Sequence, residues 1–490
     1  MPESDVGASG PAERGAAPAR QATPWRVAVV ACSLPMAMVT LSNLVVSTAL
    51  RTLALKLHAS TAQLQWFINA YVLAFACLLL AGAALGDRFG RRRVFIQGIV
   101  LFTVASVGCG LSTTSAELIA TRAVQGVGAA AVLPLSLSLL AQTVPAKQRA
   151  LALGLWSSLN GVAVALGPVV GGAVLGGLDW HWIFWLNIPV GVVSIPLVLA
   201  LLPESKLPEV GFDVPGMVLA AAGLVAVVWG IVHAQADGWL SAGVLGAFAA
   251  GVALLTVFTL WQRRAARPLL PLSFYRIRAF TLTNIVSAAM YFGVFGSLFL
   301  IVQFLQIAPP RTPLQAGVML LPWTLMPMVV APLAGALTDR LGGGRLMALG
   351  LFLQAGGLAW LILIATANTS YGLEAGPMLV SGIGMGFVFA PTAAVVIGSV
   401  GPRFAGKASG ANTTVREIGG ALGIAVLSTV FVDYGGSAGA GAAQFLGGLR
   451  PAIWVGVAVV MAGGLCALAI PRATAPLPAP AAEEPVAVSV

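Results

Sequence analysis

Fourteen apolar runs recur along this 490-residue chain, each about the 20 residues a helix needs to cross the hydrocarbon of a bilayer. They begin near Arg26, Gln63, Val94, Glu117, Ala150, Trp182, Val214, Leu240, Phe280, Leu314, Leu346, Gly372, Gly410 and Pro451. The pattern predicts an all-α membrane protein with fourteen transmembrane helices. Composition agrees, since 58% of residues are hydrophobic and only 9% charged, whereas about a quarter of a soluble domain is charged.

The net charge of +10 is not a nucleic-acid footprint, because the cations lie in short clusters between apolar runs and not on one soluble face. They order the topology instead. With both termini in the cytoplasm, Arg51, Lys56, Arg311 and Arg450 fall on the outer face and Arg122 and Arg416 fall within spans; the other twenty of the 26 Lys and Arg fall inside. That is the positive-inside bias expected of such a chain. The four cysteines, Cys32, Cys77, Cys109 and Cys466, have unrelated spacings, and the three histidines are far apart. Neither a disulfide framework nor a metal site is predicted.

An internal repeat divides the chain. "LGDRFGRRR" (Leu85 to Arg93) follows the second run and "LTDRLGGGR" (Leu337 to Arg345) follows the tenth. Both read Leu-x-Asp-Arg-x-Gly followed by cations. The expected organisation is a disordered tail (1–24), a six-helix bundle (25–203), an inserted helix pair with a connecting loop (204–279), a second, pseudo-symmetric six-helix bundle (280–470) and a disordered tail (471–490). The loop "QRRAARPLLPLSFYRIRA" (Gln262 to Ala279) alternates cations with apolar residues, as a segment lying along the inner membrane surface would. Two matched halves are the arrangement of transporters that rock around a midplane site.

Four stretches resemble the major facilitator superfamily, specifically its fourteen-helix drug:proton antiporter branch. "GAALGDRFGRRR" is similar to the loop 2-3 motif, with Ala83 in place of its usual first glycine. "LIATRAVQGVGAA" (Leu118 to Ala130) resembles the span 4 motif with its embedded arginine. "ALGPVVGG" (Ala165 to Gly172) looks like the antiporter motif of span 5 and is followed by "WHWIFWLNIPVG", where His181 replaces the usual arginine. "VREIGGALG" in span 13 resembles a stretch that usually reads Arg-Gln. One departure matters: where the branch usually has a first-span aspartate, this chain has Ser42. Glu417 is then the one carboxylate predicted well inside a span.

The resemblance implies roles for these residues. Asp87, Arg88, Gly90 and Arg91, with Asp339 and Arg340 in the second half, would latch the cytoplasmic side shut in an outward-facing state; the alternative is that the cations only fix topology. Gly167, Pro168, Gly171 and Gly172 remove side chains and bend span 5, which makes either a sliding seam between the halves or an ordinary packing seam. Arg122 sits where a charge costs about 3 kcal/mol or more, so it either couples protons and orients substrate or clamps neighbouring backbone. Arg416 and Glu417 point about 100° apart on a helix and cannot simply neutralise each other. At least one faces a central cavity. Desolvation and a nearby cation act oppositely on the glutamate's proton, so Glu417 is either a proton carrier or cation contact, or a permanently paired structural acid.

Asn43, Trp66, Asn69, Gln125, Asn160, Asn284, Gln303 and Asn412 are candidate cavity residues, with Tyr71, Tyr291, Phe292 and Trp323 among the available aromatics. Such a mixture suits a bulky amphipathic organic molecule. The expected function is export of drug-like amphipathic compounds in exchange for protons by alternating access. The protein would work as a monomer in the cytoplasmic membrane, with the proton gradient as its energy source and no cofactor, metal or nucleic acid. An uptake permease or uncoupled facilitator shares the fold. A membrane enzyme or sensor is disfavoured, because the chain has neither clustered catalytic groups nor a soluble signalling domain.

Overall fold

A computed structural model describes residues 25–205, 213–265, 268, 272–308, 310–400, 405–437 and 441–471; the two tails and part of the 262–279 loop lie outside them. Among the described residues sixteen α-helices follow one another: α1 (Trp25–Lys56), α2 (Thr61–Phe89), α3 (Arg91–Leu111), α4 (Ser115–Thr143), α5 (Ala146–Gly177), α6 (Trp182–Trp185), α7 (Asn187–Leu201), α8 (Val214–Asp237), α9 (Ala242–Arg264), α10 (Arg278–Ile307), α11 (Pro313–Met319), α12 (Leu321–Leu341), α13 (Gly343–Ile364), α14 (Tyr371–Val400), α15 (Ala405–Asp433) and α16 (Ala442–Leu468). They supply fourteen stretches long and apolar enough to cross a bilayer, with α6 joined to α7 and α11 joined to α12 in single crossings. The protein is a multi-pass, all-helical membrane protein.

Local chemistry sets the ends of these helices. Ser60 with Gln63, Thr114 with Glu117 and Thr312 with Gln315 form capping boxes at the starts of α2, α4 and α11, each satisfying two otherwise unpaired backbone N–H groups. All three lie at the end of the bundle opposite the basic loops. At the basic end the repeated Leu-x-Asp-Arg-x-Gly segment ends on Gly90 (φ 113°) and Gly342 (φ 86°). Each closes one helix and opens the next in a backbone region that a Cβ disfavours. The repeat therefore encodes the same tight turn twice. Pro322 in the first turn of α12 has no N–H to continue the ladder, and the crossing breaks there into α11 and α12.

The same five pairings occur in both halves. In the first, α2 packs on α4, α3 on α4, α1 on α5, α3 on α7 and α1 on α7; in the second, α12 packs on α14, α13 on α14, α10 on α15, α13 on α16 and α10 on α16. The halves meet along two seams, α2 against α15 and α5 against α11 and α12. The inserted α8 covers the first seam, touching both α2 and α15, and Thr429 Oγ1 donates to the Ile231 carbonyl at 3.3 Å. Its partner α9 carries an outer face of exposed apolar side chains, among them Leu245, Val252 and Leu260.

Two expectations shift. The last crossing starts at Ala442, with Pro451 inside it, because a proline marks a helix start only where no favourable residues precede it. Glu417 lies twelve residues beyond Ala405, roughly 18 Å at about 1.5 Å per residue. It is deeper in the helix than a start at Gly410 implies.

Candidate functional site

Between the halves lies a cavity of about 920 Å³, counted with its open part, walled by Val39, Thr40, Asn43 and Leu44 of α1, Tyr71 and Phe75 of α2, Leu133 of α4, Asn160 and Val164 of α5, Tyr291, Val294, Phe295 and Leu298 of α10, Trp323 and Thr324 of α12, Met385 and Phe389 of α14, and Arg416 and Glu417 of α15. Both members of the adjacent charged pair line it. They form no ion pair with each other, and among the described residues the Glu417 carboxylate receives no hydrogen bond. The Arg416 guanidinium lies 4.9 Å from the centroid of the Tyr291 ring, an attractive cation–π arrangement, and its buried Nε has no hydrogen-bond partner among the described residues. Beside them Thr40 Oγ1 donates to Asn160 Oδ1 at 2.8 Å.

The aromatic wall is built twice from the same short pattern. "YVLAF" places Tyr71 and Phe75 one turn apart on α2 and "YFGVF" places Tyr291 and Phe295 one turn apart on α10, with ring centroids 6.2 and 5.3 Å apart. Each tyrosine carries an arginine on its ring, since the Arg122 guanidinium is 4.3 Å from the Tyr71 centroid.

Arg122 itself is off the cavity wall and fully buried. Its Nε donates to the Phe67 carbonyl at 2.9 Å and its Nη1 to Gln125 Oε1 at 2.6 Å. Gln125 Nε2 then donates to Ser106 Oγ at 2.7 Å and Ser42 Oγ at 3.3 Å, and Asn187 Nδ2 donates to the same two hydroxyls at 3.3 Å. Ser42 thus stands as a neutral acceptor in a network with no carboxylate. This geometry suits the clamp reading. Lysine lacks the guanidinium fork that reaches both acceptors, so Arg122→Lys is expected to lower the unfolding temperature of the detergent-purified protein by an amount matching about 1–3 kcal/mol, as scanning fluorimetry would register. An unchanged transition would contradict the clamp.

Of the predicted cavity residues the structure brings together Asn43, Asn160, Arg416 and Glu417, with the aromatics Tyr71, Tyr291 and Trp323, but not the others. Trp66 is half-buried against the core. Asn69 is fully buried, with neither amide atom partnered among the described residues. Asn412 Nδ2 donates to Asn284 Oδ1 at 3.1 Å and Ser287 Oγ at 2.9 Å, and Gln303 Nε2 donates to the Phe299 carbonyl at 2.7 Å. Thr40, Phe75, Phe295, Thr324, Met385 and Phe389 line the cavity without having been singled out; the doubled Tyr-x-x-x-Phe pattern was the available signal for two of them.

One end of the cavity is sealed. Arg51 donates to the Gln306 carbonyl and Gln306 Nε2 donates to the Thr48 carbonyl at 3.0 Å, joining α1 to α10 across the halves. Of the antiporter-like glycines, Gly167 and Gly171 face Leu44 and Val45 of α1 in their own half. Gly172 meets Pro313 and Leu314 in the other half, and Gly317 of α11 seats on the backbone of Pro168 and Val169. Beneath α11, Arg311 Nη1 pairs with the buried Glu374 carboxylate at 3.2 Å, a second charged group inside the helical region that was not anticipated. At the basic end Asp87 pairs with Arg91 at 2.6 Å, and the Glu204 carboxylate accepts from the Arg92 and Arg93 backbone N–H groups at 3.1 and 3.2 Å. No hydrogen bond or ion pair from Asp87, Arg88, Arg91 or Arg340 reaches the other half among the described residues. The Asp339 side chain lies outside the described ones.

Residues 31–424 match the Major Facilitator Superfamily. The chain belongs to that superfamily. Its relatives include the tetracenomycin C resistance and export protein of Streptomyces glaucescens, 34% identical over 84% of this chain and 76% of that protein. The methylenomycin A resistance protein of Streptomyces coelicolor is 34% identical over 88% and 92%, and the multidrug resistance protein Stp of Mycobacterium tuberculosis is 32% identical over 83% and 76%. Among solved structures, an inward-facing, occupied bacterial homolog of the human lysosomal transporter Spinster superposes with a TM-score of 0.66 at 16% identity, covering 91% of this chain and 97% of that one. That likeness is one of fold. As a member of this superfamily the protein is a membrane transporter of small molecules.

Proposed function

We propose that the protein exports amphipathic organic compounds in exchange for protons by alternating access, acting as a monomer in the cell membrane. The observation that carries this reading is Glu417: a half-buried carboxylate on the wall of a central cavity sealed at one end, with no hydrogen bond or ion pair among the described residues to hold its charge. A carboxylate so placed can exchange its proton with whichever side the cavity faces. With the basic loops in the cytoplasm, as the positive-inside bias indicates, the sealed end faces outward and this structure is the inward-facing state. Asp87, Arg88, Gly90, Arg91, Asp339 and Arg340 then act as the latch that closes the basic end in the opposite state. The names of the three relatives above, all resistance or export proteins, support the direction of transport.

The test is uptake of a fluorescent amphipathic dye into everted vesicles energised by respiration. Uptake above that of vesicles lacking the protein, abolished by a protonophore and accompanied by proton release from the lumen, is the expected result. Uptake insensitive to the protonophore would instead establish an uncoupled facilitator.

A further inference from the structure

The charge and hydrogen-bond inventory of the cavity selects among amphipathic substrates. Resting on the reading of this cavity as the transport site, we propose that its ligands are non-cationic, flat aromatic compounds bearing both a hydroxyl donor and a carbonyl acceptor on their rim, and that Arg416 and Glu417 read that edge. Two guanidinium groups and one carboxylate surround the cavity: Arg416 and Glu417 on the wall, and Arg122 directly behind the Tyr71 ring. The surplus is positive. A cationic ligand meets net repulsion in a site of low dielectric, where Coulomb terms are largest.

The two wall charges are also unspent. Among the described residues Arg416 makes no hydrogen bond, although it carries five donors, and Glu417 accepts none. Leaving such groups unpaired is costly, so a ligand supplying an acceptor to Arg416 and a donor to Glu417 is favoured over one supplying neither. Asn43 Oδ1 and Trp323 Nε1, on two further lining residues, are likewise without partners. The faces of the ligand are provided for by Tyr71 and Phe75 on one half and Tyr291, Phe295 and Phe389 on the other.

This arrangement also makes ligand and proton compete for one place. A phenolic O–H donates to the ionised Glu417 carboxylate, and a proton bound there removes that acceptor. The titratable and charged groups around Glu417 are Arg416 on its own helix, Tyr71 on α2, Tyr291 on α10 and, behind Tyr71, Arg122 on α4.

The test is calorimetric titration of the full chain in lipid nanodiscs, with empty nanodiscs subtracted, using three probes: 2,6-dihydroxyanthraquinone, 2,6-dimethoxyanthraquinone and ethidium. The dihydroxy compound is expected to bind, and the dimethoxy compound, which lacks the donor, to bind at least about tenfold more weakly, the ratio that loss of one charge-assisted hydrogen bond brings. Ethidium is expected to show no saturable heat. Arg416→Met should weaken the dihydroxy compound by about the same ratio. Should that variant fail to elute as a folded species, the three probes on the wild type decide alone. Equal affinity for the two quinones, ethidium binding as tightly as either, or an unaffected Arg416→Met would overturn the assignment. Binding is read here without transport. A protein that shows this ligand order but no proton-linked dye uptake keeps the assignment and loses the exporter reading, and proton-linked uptake with the reverse order does the opposite.

Discussion

Replacing Glu417 by glutamine is expected to reduce substrate-driven proton movement in everted vesicles at least about tenfold, the equivalent of about 1.4 kcal/mol or more of lost coupling, while exchange of substrate for substrate continues. The change is confined to titration. The amide would keep the size of the side chain and its place on the cavity wall, but it cannot take up or release a proton. The driving force that the variant would forfeit is about 2.3 kcal/mol per charge for each 100 mV. A permanently paired structural acid behaves differently: its neutralisation strands the partner cation, lowers stability and leaves coupling intact in the protein that still folds. The geometry argues against that, because Arg416 leans on Tyr291 at 4.9 Å and forms no ion pair with its neighbour. Proton flux followed with a pH-sensitive dye, together with counterflow of preloaded substrate, separates the two. Equal losses in both assays would remove Glu417 from the coupling scheme.

The architecture was legible in the sequence wherever one residue's chemistry decides a structure locally. Apolar length gave the crossings, and the repeated Leu-x-Asp-Arg-x-Gly gave two matched turns because only a glycine sits easily at the φ that Gly90 and Gly342 adopt. A carboxylate inside an apolar run pointed to Glu417 because few other arrangements tolerate it. What could not be read was which buried polar group faces space and which faces another group. Arg122 and Glu417 are equally conspicuous as charges in a greasy chain. Yet Arg122 finds acceptors on Phe67 and Gln125, side by side only after α2 and α4 pack, whereas Glu417 finds no donor among the described residues. The same limit hid the partners of the span 5 motif. Gly172 and Pro168 stood out by residue type, but their counterparts Leu314 and Gly317 belong to a short helix created by the break before Pro322.

That contact between α5 and α11 carries the second large effect. Gly172→Val is expected to shift the protein toward the state open at the end that is sealed here. A Cβ at position 172 would lie 2.5 Å from the Leu314 Cα, well inside van der Waals contact, and the obstructing atoms are backbone, which cannot rotate aside. Overpacking of this kind costs about 1–3 kcal/mol, and a cost borne by one of two conformations moves their equilibrium by about 5- to 150-fold. The clash exists only while α5 and α11 are pressed together, so the substitution penalises the sealed state and spares the other. The reporter is a cysteine in place of Asn43 on the cavity wall, with the half-buried Cys466 changed to serine, labelled by a membrane-impermeant maleimide applied to the outside of intact cells. Labelling should accelerate in the Gly172→Val background by a factor in that range. Gly176→Val, one turn further along α5 where a Cβ would meet nothing within 4 Å, should leave the rate unchanged. If Gly172→Val stopped transport without altering the labelling rate, the glycine would be serving helix packing alone, and the α5–α11 contact would not be the gate.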